Sequence, residues 1–409
     1  MIHILERPEQ LDPLMDALCS QPPLTLDQRL DLLEAWREAI VADDAAINVP
    51  GALFLNLWLR RSNLQSVLKR ELGAEELTGG WSDAEGVKTR WFPVGVVAHW
   101  PAGNIEIQPI LSLTTAFLGG NRSVVRVSPS LLRSVEPLLA VLDRFEGGQE
   151  ILSRSLFVSF DRQAQSIHSR MASLVDGAMI WGGHEAVMNL RSLPFPPLAK
   201  LAVFGPRYSA VLMDAGAWAE EKVRTAWCRR LARDLWPFEQ QACSSPQPIF
   251  VQRSESLDEQ LILDSLQEAL EREAAIHPRE QLDPALTSEI VRSRARWLMA
   301  DPEHAARFPS TPEWTLLIGE GYELVKGGRI LTLQFVDQLE DALKRLDRNA
   351  QTLGLAMADR EEALRIAEQA GCQGIDRIVP VGRMHVYDSP WDGHPLVCSM
   401  MRQVRFIAG

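Results

Sequence analysis

Pro93-Val94-Gly95-Val96-Val97-Ala98-His99-Trp100 opens the part of the chain that decides the fold. The run holds no Asp, Glu, Lys or Arg and is rich in β-branched residues, so it reads as a buried strand. An amphipathic stretch from Ile105 to Phe117 follows, and the pattern then repeats. Ser123–Val127 is the next strand, with a helix from Ser130. Ser155–Phe160 precedes a helix near Ala164–Leu174, and Gly177–Trp181 is followed by Gly182-Gly183 and another helix. Lys200–Gly205 and Ser209–Met213 complete the run. Strand and helix in alternation predict an α/β fold, a parallel sheet with helices on both faces. Sheets of this kind bind ligands beyond the carboxyl ends of their strands.

The pattern extends in both directions. Upstream, Leu26–Ala42 and Ala52–Leu72 carry apolar residues at helical spacing, so residues 1 to about 75 read as helices. Thr78-Gly79-Gly80 ends that pattern, and 86–91 reads as an extended or hairpin strand. Downstream, long amphipathic helices are expected over 216–235, 257–273 and 285–299. Trp314–Gly319, Ile330–Phe335, Leu353–Ala358 and Asp376–Gly382 read as strands of a second α/β unit, with helices near Leu339–Leu346 and Arg360–Ala370. The tail, Leu396–Ile407, ends in a strand.

Bulk properties exclude several classes. The 409 residues suffice for two or three domains with full cores. The net charge is -12, which argues against a general nucleic-acid surface and requires any phosphate site to be local and basic. The five cysteines are odd in number and scattered, which suits a reducing cytoplasm. The N-terminus shows no signal-peptide pattern, and no apolar run reaches the ~18 residues of a membrane span. The histidines form no metal-ligand motif, so no metal is expected.

Glu239-Gln240-Gln241-Ala242-Cys243-Ser244-Ser245-Pro246-Gln247-Pro248-Ile249-Phe250-Val251 places Cys243 in a short polar turn before an apolar strand. A thiol held there by a rigid element suits covalent catalysis. A small core hydrophobe is the other reading. Asn104, in Trp100-Pro101-Ala102-Gly103-Asn104, lies between a strand and a helix. Its amide can serve a developing oxyanion, or it can simply cap the helix. Arg126 is either a phosphate ligand or an arginine exposed at a strand end. Trp181-Gly182-Gly183 joins a strand to a helix, where two glycines let backbone approach a pyrophosphate. Most such turns bind nothing, and no GxGxxG fingerprint occurs in the chain.

Gln241-Ala242-Cys243, the four residues after it and the apolar strand resemble the active-site segment of the aldehyde dehydrogenase superfamily. The wider stretch QQACSSPQ with PIFV looks most like the fatty acyl-CoA reductases of the LuxC type. Several ordered segments support the resemblance. Asn104 matches the asparagine of the superfamily's Asn-x-Pro segment, with Glu106 in place of the proline. Gly120-Asn121 through Pro129-Ser130 is similar to Gly-Asn-x-Val-Val-x-Lys-Pro-Ser. There Ser128 stands for the lysine, and Arg126, on the same face of the strand, is expected to supply the charge. Trp181-Gly182-Gly183 resembles the Phe-Thr-Gly-Ser turn. Ala202 stands where hydrolytic members carry the water-activating glutamate. Glu323 lies near the segment that binds the nicotinamide ribose. Asp376–Pro380 and Ser389–Gly393 look LuxC-like, and Trp391-Asp392-Gly393 is either part of a substrate mouth or a structural turn.

The resemblance implies an aldehyde dehydrogenase-like α/β fold. Its domains are N-terminal helices (1–77), an oligomerisation hairpin (78–92), an NAD(P)-binding domain (93–208), a catalytic domain (209–395) and a C-terminal oligomerisation strand (396–409). It implies NADPH as cofactor, with NADH as the alternative. The expected reaction is reduction of an acyl thioester to an aldehyde through a Cys243 acyl-enzyme, in a cytoplasmic homodimer or tetramer. The acyl donor is CoA, an acyl carrier protein or an acyltransferase partner. A CoA-acylating aldehyde dehydrogenase, a cysteine acyltransferase or thioesterase, and a non-catalytic acyl-binding protein are the other readings.

Overall fold

The alternation that starts at Pro93 becomes a six-stranded parallel sheet in the computed structural model, which describes residues 2–73, 80–84, 87–255, 258–279 and 283–407. Positions 78–79, 85–86 and 408–409 of the expected oligomerisation segments lie outside the described residues. The chain forms two compact units, Met1–Pro206 with Val386–Gly409, and Arg207–His385.

In the first unit the strands run in the order Ile2–Ile4, Ser155–Ser159, Arg122–Arg126, Val96–Trp100, Gly177–Trp181 and Lys200–Phe204. Successive side chains of a strand face opposite sides. Val96, Ala98, Trp100, Val124, Leu156, Val158, Ala178 and Ile180 accordingly meet Leu11, Met15, Ile167 and Met171 in one core. The alternate residue His99 is fully buried between Ser112 Oγ (2.7 Å) and Ser123 Oγ (3.1 Å). Burial pulls its pKa down to about 3, so it is neutral. The N-terminal helices are tied to the same unit by buried tryptophans. Trp36 Nε1 donates to the Leu138 carbonyl (3.0 Å), and Trp58 Nε1 to Thr114 Oγ1 (2.9 Å).

Three expectations are corrected here. Ile2–Ile4 is a parallel edge strand beside Phe157–Ser159, not part of a helix; three residues are too few to show a period. The helix expected over Ala52–Leu72 is two, Ala52–Leu59 and Arg61–Leu72. It breaks at Arg60, whose ψ is 128, and Glu34 Oε2 accepts the Arg61 N–H at 2.7 Å. The strand expected over 93–100 splits at Gly95. That residue has φ 138, and a Cβ there would lie 2.1 Å from Asp176 Oδ2. The split lets Val87–Pro93 join a separate antiparallel sheet, between Met401–Ile407 and Ser82–Ala84.

The second unit holds a seven-stranded sheet, ordered Ala305–Arg307, Thr315–Ile318, Ile330–Val336, Pro246–Gln252, Tyr208–Met213, Ala350–Ala356 and Arg377–Pro380. Only the Ala305–Arg307 pair is antiparallel. In Tyr208–Met213, Val211 and Met213 join a core with the helices Glu221–Leu235 and Glu259–Ile276. Tyr208, Ala210 and Leu212 join another with Leu339–Lys344 and Arg360–Cys372. Burial on both faces is why these strands read as continuous apolar runs.

The second unit closes at His385, short of position 395, because Val386–Gly409 is bound into the first unit. The Glu71 carboxylate accepts the backbone N–H groups of Leu396 (2.9 Å), Val397 (2.8 Å) and Cys398 (2.8 Å), and the Ser389 hydroxyl. Glu71→Ala leaves three backbone donors without that acceptor and is expected to cost on the order of 2 kcal/mol. A lower thermal unfolding midpoint is the expected result, with Glu71→Gln less affected than Glu71→Ala. An unchanged midpoint in Glu71→Ala contradicts the anchoring role.

Candidate active site

The carboxyl ends of the parallel strands in the first unit surround a cavity of about 630 Å³. Six of the residues singled out from sequence line it: Asn104, Arg126, Ser128, Trp181, Gly182 and Gly183. Cys243 and Glu323 belong to the other unit.

Asn104 is exposed in the loop between Val96–Trp100 and the helix Gln108–Leu118. It does not cap that helix, whose N-cap is Ile107. The loop is held instead by Gln108 Oε1, which accepts the Ala102 N–H at 2.7 Å. Ser128 and Ser130 meet at 3.0 Å, and Ser130 Oγ donates to the Gly103 carbonyl at 3.2 Å, so the two loops form one wall.

Arg126 is buried rather than exposed at a strand end. Its Nη2 donates to the Phe160 carbonyl at 3.1 Å and its guanidinium lies 5.2 Å from the Phe160 ring centroid. Burial pulls its pKa below the ordinary arginine value and Asp161 pulls it back; an arginine remains charged throughout. Its buried Nε has no hydrogen-bond partner among the described residues. Arg162 and His168 also line the cavity. His168 Nδ1 accepts Trp100 Nε1–H at 3.0 Å, and burial, with Arg126 adding, pulls its pKa down to about 4. The cavity's positive charge therefore comes from its arginines.

Trp181 is stacked on Phe204 at 3.6 Å and donates Nε1–H to Ser112 Oγ at 3.1 Å. Gly183 is the N-cap of the helix His184–Arg191, which has no side-chain cap. A Cβ at Gly183 would meet nothing within 4 Å. Open backbone N–H groups at a helix start, an approach left clear by glycine and a charged guanidinium suit an anionic dinucleotide.

Cys243 is half-buried in the turn that leads into Pro246–Gln252, a central strand of the second unit. Phe238, Glu239 and Gln240 precede it with φ of 54, 52 and 60, three consecutive left-handed residues without a glycine. Such backbone costs roughly 1–2 kcal/mol per residue and needs support. Gln240 is fully buried and supplies it. Its Nε2 donates to the carbonyls of Pro246 (2.9 Å) and Ile330 (2.6 Å), and its Oε1 accepts the Ile330 N–H (2.8 Å). The Glu239 carboxylate pairs with Arg329 (2.5 Å) and Arg279 (3.2 Å). Beyond the turn, Ser209 Oγ donates to the Cys243 carbonyl at 2.7 Å, and Ser244 Oγ lies 3.0 Å from His385 Nδ1. Sequence reasoning missed Arg162, His168, Gln240, Ser209 and His385. Arg162, just past the end of a recognised strand, and Gln240, inside the quoted Cys243 segment, were the ones with a local signal.

Glu323 is bound by Arg296, through Nε at 2.9 Å and Nη2 at 3.1 Å, and by the Ser293 hydroxyl. The Arg296 contact holds its pKa below the usual glutamate value. Ala202 is buried in Lys200–Phe204, opposite Met179. Trp391 and His394 exchange backbone hydrogen bonds at 2.9 and 2.8 Å, so Trp391-Asp392-Gly393 forms a tight turn. Among the described residues, no group of three or more His, Cys, Asp or Glu could hold a metal ion.

The profile of the acyl-CoA reductase (LuxC) family matches residues 33–403. A long-chain acyl-protein thioester reductase of Vibrio harveyi is 23% identical over 356 residues, 85% of this chain and 71% of that protein. One of Photorhabdus luminescens is 25% identical over 334 residues, 80% of this chain and 66% of that protein, so the chain spans about two thirds of that relative's length. Among solved structures, an aldehyde dehydrogenase from Brucella melitensis biovar abortus 2308 aligns with a TM-score of 0.70 at 13% identity, over 97% of this chain and 88% of that one. An NADP-dependent enzyme of E. coli aligns with a TM-score of 0.70 at 13% identity, over 98% and 91%. The fold is that of an aldehyde dehydrogenase.

Gln240→Ala removes a bridge between two strands and deletes three hydrogen bonds to buried backbone groups. It is expected to destabilise the protein by about 3 kcal/mol or more, read as a lower midpoint in urea unfolding. Stability equal to wild type contradicts the bridging role.

Proposed function

This chain belongs to the acyl-CoA reductase (LuxC) family, and we propose that it reduces an acyl thioester to an aldehyde through an acyl group carried on Cys243, with NADPH as reductant. The observation that carries the reading is the Cys243 turn, a half-buried thiol at the head of a central strand whose backbone is fixed on both sides. A fixed nucleophile loses less entropy on reaching the reacting carbon.

In this reading the Cys243 sulfur attacks the thioester carbonyl carbon, its new carbon–sulfur bond forms, and the bond to the leaving thiol breaks. The Asn104 amide and the Cys243 backbone N–H serve the oxyanion. When bound, the reduced nicotinamide supplies hydride to the acyl carbon. The chain's own task is to hold the acyl group and to release the aldehyde as the Cys243 carbon–sulfur bond breaks. Ala202 supplies no base for hydrolysis to the acid. Gly182, Gly183 and the helix start behind them would hold the pyrophosphate, and Arg126 and Ser128 would hold the adenosine end. The buried guanidinium of Arg126 is the reason to prefer NADPH over NADH. Glu323 is left out of the assignment because Arg296 and Ser293 already bind its carboxylate.

The donor is an acyl-CoA or a protein-bound acyl group, from a carrier protein or an acyltransferase partner; the relatives' acyl-protein substrates favour the latter. A homodimer or tetramer built through the three-stranded sheet completes the reading. Phe406 and Ile407 are exposed on that sheet, and exposed Trp81 precedes its first strand and packs 6.2 Å from the Phe406 ring. Among the described residues no helix is long and apolar enough to cross a membrane, and a cytoplasmic setting belongs to the same reading.

NADPH oxidation with a panel of acyl-CoA esters tests the proposal. Wild type is expected to consume NADPH and form aldehyde, Cys243→Ala to do neither, and Asn104→Ala to lose about 10²–10³ in turnover while staying folded. Normal turnover in either variant overturns that residue's role. Gly183→Val suits the residue's φ of -71 and meets open space. It is expected to keep the unfolding midpoint while weakening NADPH binding at least tenfold in a fluorescence titration; unchanged binding removes this turn from the cofactor site. Arg126→Ala is expected to narrow the preference for NADPH over NADH, and an unaltered preference contradicts its phosphate role.

A further inference from the structure

His385 comes within hydrogen-bond reach of the residue that follows the reactive cysteine, although it lies 141 positions from Ser244. It is 5% exposed, and Ser244 is 4% exposed. The two ring nitrogens make contacts of different kinds. Nε2 lies 2.7 Å from the backbone carbonyl of Asp234, which can only accept, so Nε2 carries the proton. Burial keeps the ring neutral, pulling its pKa down to about 4. Nδ1 is then the bare nitrogen, and the Ser244 hydroxyl donates to it at 3.0 Å.

The loop that carries His385 is itself fixed. The Asp234 carboxylate accepts the N–H groups of Gly382 and Met384. Arg377 donates to the Met384 carbonyl at 2.7 Å and to the Arg383 carbonyl at 3.1 Å. Gly382 sits at φ 92, and a Cβ there would lie 3.0 and 3.1 Å from the Arg230 Cβ and Cγ. Phe238, the first left-handed residue of the turn, packs edge-on against the His385 ring, with centroids 5.8 Å apart. Ser209 grips the Cys243 carbonyl from the other side. The peptide between Cys243 and Ser244 is thus held at its oxygen by Ser209 and at the next side chain by His385.

We propose that His385 is a positioning residue that acts through Ser244 to fix the Cys243–Ser244 peptide, and with it the direction of the Cys243 thiol. It rests on the assignment of Cys243 as nucleophile. The role is distinct from base catalysis: the one unprotonated nitrogen of the ring is spent on Ser244. A small misdirection of a nucleophile costs far more in rate than in stability.

Two variants separate the two halves of the ring. His385→Gln keeps an N–H donor at the Nε2 position for the Asp234 carbonyl and leaves no acceptor at the Nδ1 position that faces Ser244; Ser244→Ala gives up the donor. Wild type, both single variants and the double variant are mixed with radiolabelled dodecanoyl-CoA, and the acylation rate of Cys243 is followed by peptide mapping. Each single variant is expected to slow acylation about tenfold or more. The double variant is expected to be no slower than the singles, because both remove one bond. Alkylation of Cys243 by iodoacetamide, which makes little demand on direction, should stay within about twofold of wild type, and the unfolding midpoint should stay near it. Wild-type acylation rates in both singles overturn the proposal. So do losses that multiply in the double, and so does a fall in alkylation and midpoint that parallels the fall in acylation. If wild type takes its label at a residue other than Cys243, the nucleophile assignment fails and this proposal with it; label on Cys243 with unaffected variants overturns this proposal alone.

Discussion

The buried amide of Gln240 is the contact on which the Cys243 turn depends. The chain enters the central strand of the second unit through three left-handed residues, Phe238 to Gln240, a conformation that opposes folding by several kcal/mol in all, at roughly 1–2 kcal/mol per residue. Gln240 offsets this by bonding to backbone on two adjacent strands, at Pro246 and Ile330. Each such bond contributes about 1 kcal/mol when made and costs more when a buried partner is left unpaired. Glu239 adds ion pairs to Arg279 and Arg329. The strained turn persists because its surroundings over-determine it, and its consequence is that Cys243 stands at the head of a rigid strand, with its own carbonyl tied to Ser209.

The first unit meets a different demand. A chain of net charge -12 must hold an anionic cofactor. Burial keeps His99 and His168 neutral, so they serve as hydrogen-bonding structure beneath and beside the cavity and add no charge. Arg126 and Arg162 supply the charge, and Arg126, held by the Phe160 carbonyl and ring, sits in an environment of low dielectric where a guanidinium acts strongly. Gly183 leaves the adjoining helix start open to approach.

Much of this fold was legible because the central strands of both parallel sheets are buried on both faces. Gly177–Trp181 and Tyr208–Met213 are nearly uninterrupted apolar runs, and no tertiary contact was needed to find them. What was hidden depends on single long-range contacts. Asp176 makes Gly95 a break between two sheets, and Glu34 helps divide a long helical pattern at Arg60. Ile2–Ile4 is a strand only because Phe157–Ser159 offers it an edge. Of the candidate site residues, Cys243, Asn104, Arg126 and the Gly182-Gly183 turn stood out because each lies beside or at one end of a strand. Arg126 could not be seen to be buried, since Phe160 lies 34 positions away. Glu323 could not be seen to be bound, since Arg296 and Ser293 approach from a separate helix. His385 had no signal at all in its own neighbourhood.

The most direct measurement is the mass of the protein after incubation with an acyl-CoA in the absence of reductant, followed by peptide mapping. The account predicts one added acyl group on the peptide containing Cys243, held as a hydroxylamine-sensitive thioester and lost as aldehyde when NADPH is added. An acyl group at another residue, or no covalent adduct under conditions that support NADPH oxidation, contradicts it.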